Sequence, residues 1–155
     1  MEKIYCSFLE VRGYELDSFG HVNHAEYVRY LEHARWQVLR TEGIGIPELK
    51  KFQIWPVIAE IQLKYLKPTF LGDLLAVTTR VVSNTRTQFV FEQTVFKTGS
   101  EAISKDFTQA LILQPEQVTL LQGEPKILEA LVRVVTVNAS GRPTETPLEF
   151  QALWS

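Results

Sequence analysis

The chain has 155 residues, 45% of them hydrophobic and 22% charged, with a formal net charge of −2. That is material for one domain around one core, and the acidic balance excludes nucleic acid or an anionic membrane surface as a partner held by bulk charge. The single cysteine, Cys6, excludes an intrachain disulfide and fits a reducing cytosol. In an early strand it reads as a small buried hydrophobe rather than a nucleophile. The opening Met-Glu-Lys-Ile-Tyr has neither the basic nor the apolar stretch of a secretory signal, and no apolar run approaches the ~20 residues of a membrane helix. A cytoplasmic protein without membrane insertion is expected.

Residues 3–13, KIYCSFLEVRG, are rich in β-branched and aromatic types and predict a strand. After Asp17, a Ser-Phe-Gly-His turn leads into a helix expected over 23–41. Asn23 is a good N-cap, and Glu26 three residues on completes the pattern of a capping box. Tyr27, Leu31, Ala34 and Val38 share one helical face, with Glu26, Arg29, His33, Gln37 and Arg40 largely off it. Glu32 and Arg35 are spaced for an ion pair along that helix. Gly43 suits a left-handed stop, and a short helix around Pro47 is expected within 44–52.

The next strand is expected over 54–67, where Ala59, Ile61, Leu63 and Tyr65 alternate with Glu60, Gln62 and Lys64 in a half-buried pattern. Pro68 and Gly72-Asp73 punctuate the chain before strands at 74–83 and 87–97, joined by a hairpin at 83–86. Past Lys97, 102–113 reads as a further strand, 127–137 as a strong one, and 139–143 as a turn. One long helix among several antiparallel strands is an α+β architecture.

The chemistry concentrates where Asp17 precedes the helix start by a glycine turn. A helix N-terminus carries unpaired N–H groups and about half a positive charge, enough to polarise a carbonyl oxygen. A carboxylate beside it can serve as general base or nucleophile on that carbonyl. No G-x-S-x-G elbow, no G-x-x-x-x-G-K-[ST] and no G-x-G-x-x-G occurs, which removes the serine-hydrolase and common nucleotide-loop readings. His21 and His24 lack the further ligands of a metal site, so no metal is expected. The scattered basic residues give no nucleic-acid footprint.

The run V-R-G-Y-E-L-D-S-F-G-H-V-N-H-A-E-Y-V-R-Y-L-E-H-A-R-W resembles the N-terminal signature of hotdog-fold acyl-CoA thioesterases of the 4-hydroxybenzoyl-CoA thioesterase-like family, and within it the long-chain acyl-CoA branch. A second stretch, L-K-Y-L-K-P-T-F-L-G-D from Leu63 to Asp73, resembles the family's second-strand segment and its Gly-Asp turn. The resemblance implies a single hotdog domain over 1–155, an antiparallel sheet of five or more strands wrapped around one long helix. It also implies a homodimer, in some members a tetramer, with sites at the subunit boundary. In the family the strand before the closing Gly-Arg-Pro turn follows soon after the fourth strand, so 101–123 reads here as an insertion.

On that resemblance, Asp17 is expected as nucleophile or general base in hydrolysis of an acyl-CoA or acyl-carrier thioester, with the His24 backbone N–H polarising the carbonyl. His21 is expected to orient substrate or water, and Tyr14, Gly20, Val22 and Asn23 to line the site. No cofactor is expected, coenzyme A being part of the substrate. Lys64, Lys67 and Arg86 are the candidates for its phosphates. Trp36, Phe52, Trp55 and Phe70 are candidates for an apolar acyl tunnel. Two other readings stand beside this one: a non-catalytic acyl-CoA-binding dimer, and a hotdog dehydratase or hydratase, which needs a histidine base with a partnering acid.

Overall fold

The computed structural model describes residues 2–101, 103 and 105–154. The strands are β1 (Tyr5–Glu10), β2 (Trp55–Tyr65), β3 (Leu74–Asn84), β4 (Gln88–Lys97), β5 (Leu111–Ile112) and β6 (Lys126–Val137). The helices are α1 (His24–Thr41), α2 (Ile46–Phe52), α3 (Pro115–Gln122) and α4 (Leu148–Gln151). All six strands lie in one antiparallel sheet in the order β2-β6-β4-β3-β1-β5, and α1 packs on its inner face. This is the hotdog arrangement that the resemblance implies.

The α1 stripe behaves as its spacing requires. Tyr27, Leu31, Ala34 and Val38 are all buried, and the first three meet Leu75, Val77, Val95 and Leu128 of the sheet. Two further helix residues depart from expectation, because Arg35 and Gln37 are also buried. Arg35 makes no ion pair with Glu32 among the described residues; its Nη1 donates to Gln93 Oε1 at 2.9 Å. The capping box is half realised: Asn23 Oδ1 accepts from Ala25 N at 3.0 Å, while Glu26 contributes only its backbone N–H, to Asn23 O at 2.9 Å. Gly43 takes a φ of 79° just past the helix end, a conformation glycine adopts without a Cβ penalty.

Several sequence expectations are revised. The first strand is shorter than 3–13, since a 3₁₀ turn occupies Gly13–Glu15. The strand expected over 102–113 shrinks to the two residues of β5, although Ala102 and Ser104 lie outside the described residues. The chain just after β5 supplies α3, which the sequence reading passed over. Ile103, Leu113 and Leu121 cover the outer sheet face above Cys6, Phe8, Ala76 and Phe96. With both faces covered, β1 is buried at five consecutive positions rather than at alternate ones. Cys6 is fully enclosed, and burial pushes its thiol up to about 12, which suits a packing role.

β2 differs again. It is an edge strand, paired only with β6, and it is exposed along most of its length instead of half-buried. A bulge falls between Ile58 and Glu60.

Candidate active site

The two signature stretches, some 40 residues apart in the chain, pack directly on one another. Val22 N donates to Thr69 O at 2.9 Å, and the Tyr27 and Thr69 hydroxyls meet at 2.6 Å inside the core. The Tyr65 hydroxyl donates to His24 O at 3.0 Å. The His21 ring stands edge-on to Phe70 with centroids 5.0 Å apart. The turn at Gly72, with a φ of 81°, lets Gly72 N reach Val11 O at 3.1 Å and Val11 N reach Asp73 O at 2.9 Å. The segment 65–73 is thus a brace along the entry to α1.

Asp17 sits in the small loop that this brace steadies. Leu16 and Val22 form an isolated antiparallel bridge, Asp17 N donates to His21 O at 2.7 Å, and Gly20 N donates to Asp17 O at 3.1 Å. Gly20 has a φ of 82°, the left-handed conformation that closes the turn. Asp17 Oδ1 accepts from Phe19 N at 2.8 Å and His21 N at 3.2 Å, which fixes the carboxylate's orientation. The other oxygen, Oδ2, accepts no hydrogen bond among the described residues. The carboxyl is half-buried. The His24 N–H is the first of α1 and has no acceptor among the described residues. One oriented carboxylate oxygen and one unpaired helix-end donor therefore open from the same loop.

Glu15 anchors that loop, a role the sequence reading missed. Its carboxylate accepts from Arg12 N at 2.7 Å and Arg12 Nη2 at 2.9 Å, and its carbonyl accepts from Asn23 N at 2.9 Å. Burial pushes the Glu15 carboxyl up, but the hydrogen bonds from the Arg12 guanidinium and backbone outweigh it and hold the group below its usual value. The only sequence signal is an Arg and a Glu three residues apart, a common surface pair.

The other expected site residues are scattered. Val22 is buried beneath the loop, and Asn23 caps the helix with its side-chain Oδ1. Tyr14 is 76% exposed, with the Arg12 guanidinium over its ring at 5.2 Å. Lys64 and Lys67 are exposed at the Tyr65 end of β2, near the Asp17 loop. Arg86 does not join them: it lies beyond the far end of β3, roughly 30 Å of strand away, and its guanidinium grips Glu145 at 2.9 and 3.3 Å.

A cavity of about 130 Å³ opens at the other end of α1. Trp36, Leu39, Ile54, Ile58, Phe91 and Val134 supply apolar walls, and Phe150 and Trp154 of the C-terminal segment help to close it. Of the four expected tunnel residues, Trp36 lines this cavity; Phe52 packs instead on Phe150 with ring centroids 5.0 Å apart, while Trp55 and Phe70 stand exposed. Arg35, Glu32, Thr136 and Thr146 are the polar residues of the wall. Burial pushes the Arg35 guanidinium down to about 10.

A six-stranded antiparallel sheet wrapped on one long helix defines a hotdog protein, with an acid loop at the helix start. Residues 11–153 match the model of the Thioesterase-like superfamily, and the chain belongs to that family. It is 31% identical over 139 residues to the acyl-acyl carrier protein thioesterase ATL2, chloroplastic, of Arabidopsis thaliana, covering 90% of this chain and 62% of that one. A putative esterase of Aquifex aeolicus is 30% identical over 121 residues, covering 78% of this chain and 92% of the relative. The chain spans 47% and 62% of the lengths of the two Arabidopsis thioesterases it matches. A hypothetical protein from Aquifex aeolicus has the same fold, with a TM-score of 0.75, 24% identity and coverage of 97% and 98% of the two chains. Among the described residues no helix is long and apolar enough to cross a membrane.

Proposed function

We propose that this protein hydrolyses an acyl thioester of coenzyme A or acyl carrier protein to a free carboxylic acid and a thiol. The observation that carries the reading is the Asp17 carboxylate, oriented by two backbone N–H groups and with one oxygen unengaged, in the loop that leads to the unpaired His24 N–H. A thioester carbonyl is electrophilic and its thiolate leaves readily, so one carboxylate and one oxyanion donor supply what the reaction needs. As general base, Asp17 takes a proton from water while the hydroxide adds to the carbonyl carbon and the oxyanion rests on the His24 N–H. Collapse breaks the C–S bond, and the proton passes to the departing sulfur. As nucleophile, Asp17 adds to the carbonyl itself, expels the thiolate and leaves an anhydride for water to open.

A dehydratase needs a histidine aimed at substrate with an acid partner. Here the His21 ring is set edge-on against Phe70 and His24 is solvent-exposed, which disfavours that reading. A purely binding role gives no use to the unengaged Asp17 oxygen. Lys64 and Lys67 are the proposed phosphate contacts, and their replacement by Ala should raise KM for acyl-CoA with little change in kcat.

The functional unit in this reading is a homodimer joined through β2, with a cytoplasmic location. The long bare edge supports it: Val57, Ile58 and Tyr65 are 44%, 41% and 47% exposed beside unpaired backbone groups. Thiol release from coenzyme A and acyl-carrier esters of graded chain length tests the activity. Turnover of at least one series is expected, and none across all of them rejects hydrolysis.

A further inference from the structure

The cavity at the C-terminal half of α1 combines largely apolar walls with a buried cation that makes no ion pair among the described residues. Arg35 is 8% exposed, yet its one hydrogen bond among the described residues goes to an uncharged amide oxygen, Gln93 Oε1 at 2.9 Å. No carboxylate lies within ion-pair reach of it among the described residues. The charged group sharing its cavity is Glu32, one helical turn earlier and exposed to solvent. Gln93 is itself held rigidly, its Nε2 donating to Leu31 O and Thr79 Oγ1, both at 3.0 Å. The amide oxygen is thereby turned toward Arg35, so the guanidinium is held at one nitrogen by Gln93 while Arg35 also lines the cavity.

Stability gives no reason for this arrangement. A buried charge without a counter-charge is costly, and an apolar side chain of similar volume removes that cost. The geometry does suit a ligand oxygen, for a guanidinium offers five donors in a planar fork and Gln93 occupies one. The space limits what arrives with that oxygen. A dry protein cavity of ~150 Å³ holds a benzene molecule, so about 130 Å³ takes an apolar group of roughly six carbons. Along α1, Arg35 lies about 17 Å from the helix start.

We propose that this cavity receives the distal part of the acyl group and that Arg35 makes it selective for acyl groups carrying a keto oxygen over plain saturated chains. The assignment rests on the thioesterase reading for what enters the cavity, and it names the substrate class of that site. A saturated chain fills the walls but leaves the guanidinium desolvated and unanswered. A chain with a keto oxygen at the matching depth accepts a charge-assisted hydrogen bond, an interaction whose strength corresponds to ~10-fold or more in affinity.

The test uses thioethers of coenzyme A, which cannot be hydrolysed: S-octyl-coenzyme A and S-dodecyl-coenzyme A, each plain or with one keto oxygen at successive positions from C2 outward. Binding is read by calorimetry and by quenching of Trp36 and Trp154, which line the cavity. The wild type is expected to bind one keto isomer at least ~10-fold tighter than its plain parent. Arg35→Met should erase that difference while binding the plain thioether as well as the wild type or better, and Arg35→Lys should keep part of it. Equal affinity for plain and keto chains at every position in the wild type overturns the proposal, whether or not the variants fold. So does a keto preference that survives in folded Arg35→Met. Keto-selective thioether binding without hydrolysis of any thioester would reject the hydrolase reading and leave the pocket assignment standing. Hydrolysis without keto preference would do the reverse.

Discussion

The two edges of the sheet are built to different ends. At the β1 edge the chain covers itself: α1 lies inside, Ile103, Leu113 and Leu121 close the outer face, and β5 leaves only two residues of strand at the margin. At the β2 edge eleven residues run with one side unpaired and nine of them are exposed, several large and apolar. The functional geometry gathers at the bare edge. Tyr65, at one end of β2, is bonded to the carbonyl of the first residue of α1, and Ile58, toward the other end, walls the cavity. The sealed edge buries its own apolar surface, and in our reading the open edge is where the protein meets ligand and a second subunit.

That contrast can be broken by substitutions on either side. Leu121→Ala on the sealed side removes a side chain only 1% exposed and should cost about 2–5 kcal/mol in denaturant unfolding. The folded fraction should keep its kcat/KM; a specific loss of turnover would show that the outer layer serves the site. Val57→Lys on the open side places a charge on the edge and should turn the proposed dimer into a monomer at micromolar concentration, read by sedimentation, with an unfolding midpoint that falls and no longer depends on protein concentration. A wild type that is monomeric at that concentration would remove the partner from the account.

Smaller changes sharpen the picture at the loop itself. Tyr27→Phe deletes the buried hydroxyl contact to Thr69, and should cost about 1–2 kcal/mol together with a few-fold loss of kcat as the brace loosens. Glu15 adds a pH signature. Its folded-state value is depressed, so its contribution to stability is present above the usual carboxylate range and is lost as the pH falls through the folded value. Urea midpoints should decline below about pH 4.5, and Glu15→Gln should flatten part of that decline. An unchanged slope in the variant would separate Glu15 from the anchoring of the Asp17 loop.

The N-terminal half was largely legible because its signals are local. The stripe Tyr27-Leu31-Ala34-Val38, the Asn23 cap and the Gly43 stop each act within a few residues of where they are written. The outer layer was not, because a strand covered on both faces and a short amphipathic helix both appear as brief apolar runs. LIL at 111–113 reads as strand, yet it gives only a two-residue pairing with β1 before Pro115 starts α3. The partners within the candidate site were hidden for a different reason. Arg35 and Gln93 are 58 positions apart, and Glu15 looks like a surface acid until the fold brings Asn23 N to its carbonyl. Arg86 shows the opposite hazard: a basic residue in a hairpin looks available until Glu145 is brought against it.

The central claim is that the unengaged Asp17 oxygen does the chemistry, and one pair of proteins tests it most directly. Wild type and Asp17→Asn differ by a single atom's identity, and the amide oxygen of Asn can still accept from Phe19 N and His21 N, so the loop should persist. Thiol release from the best wild-type thioester, with circular dichroism to confirm folding, should show kcat/KM lower by at least about 100-fold in Asp17→Asn. Turnover within a few-fold of wild type by the folded variant would contradict the account.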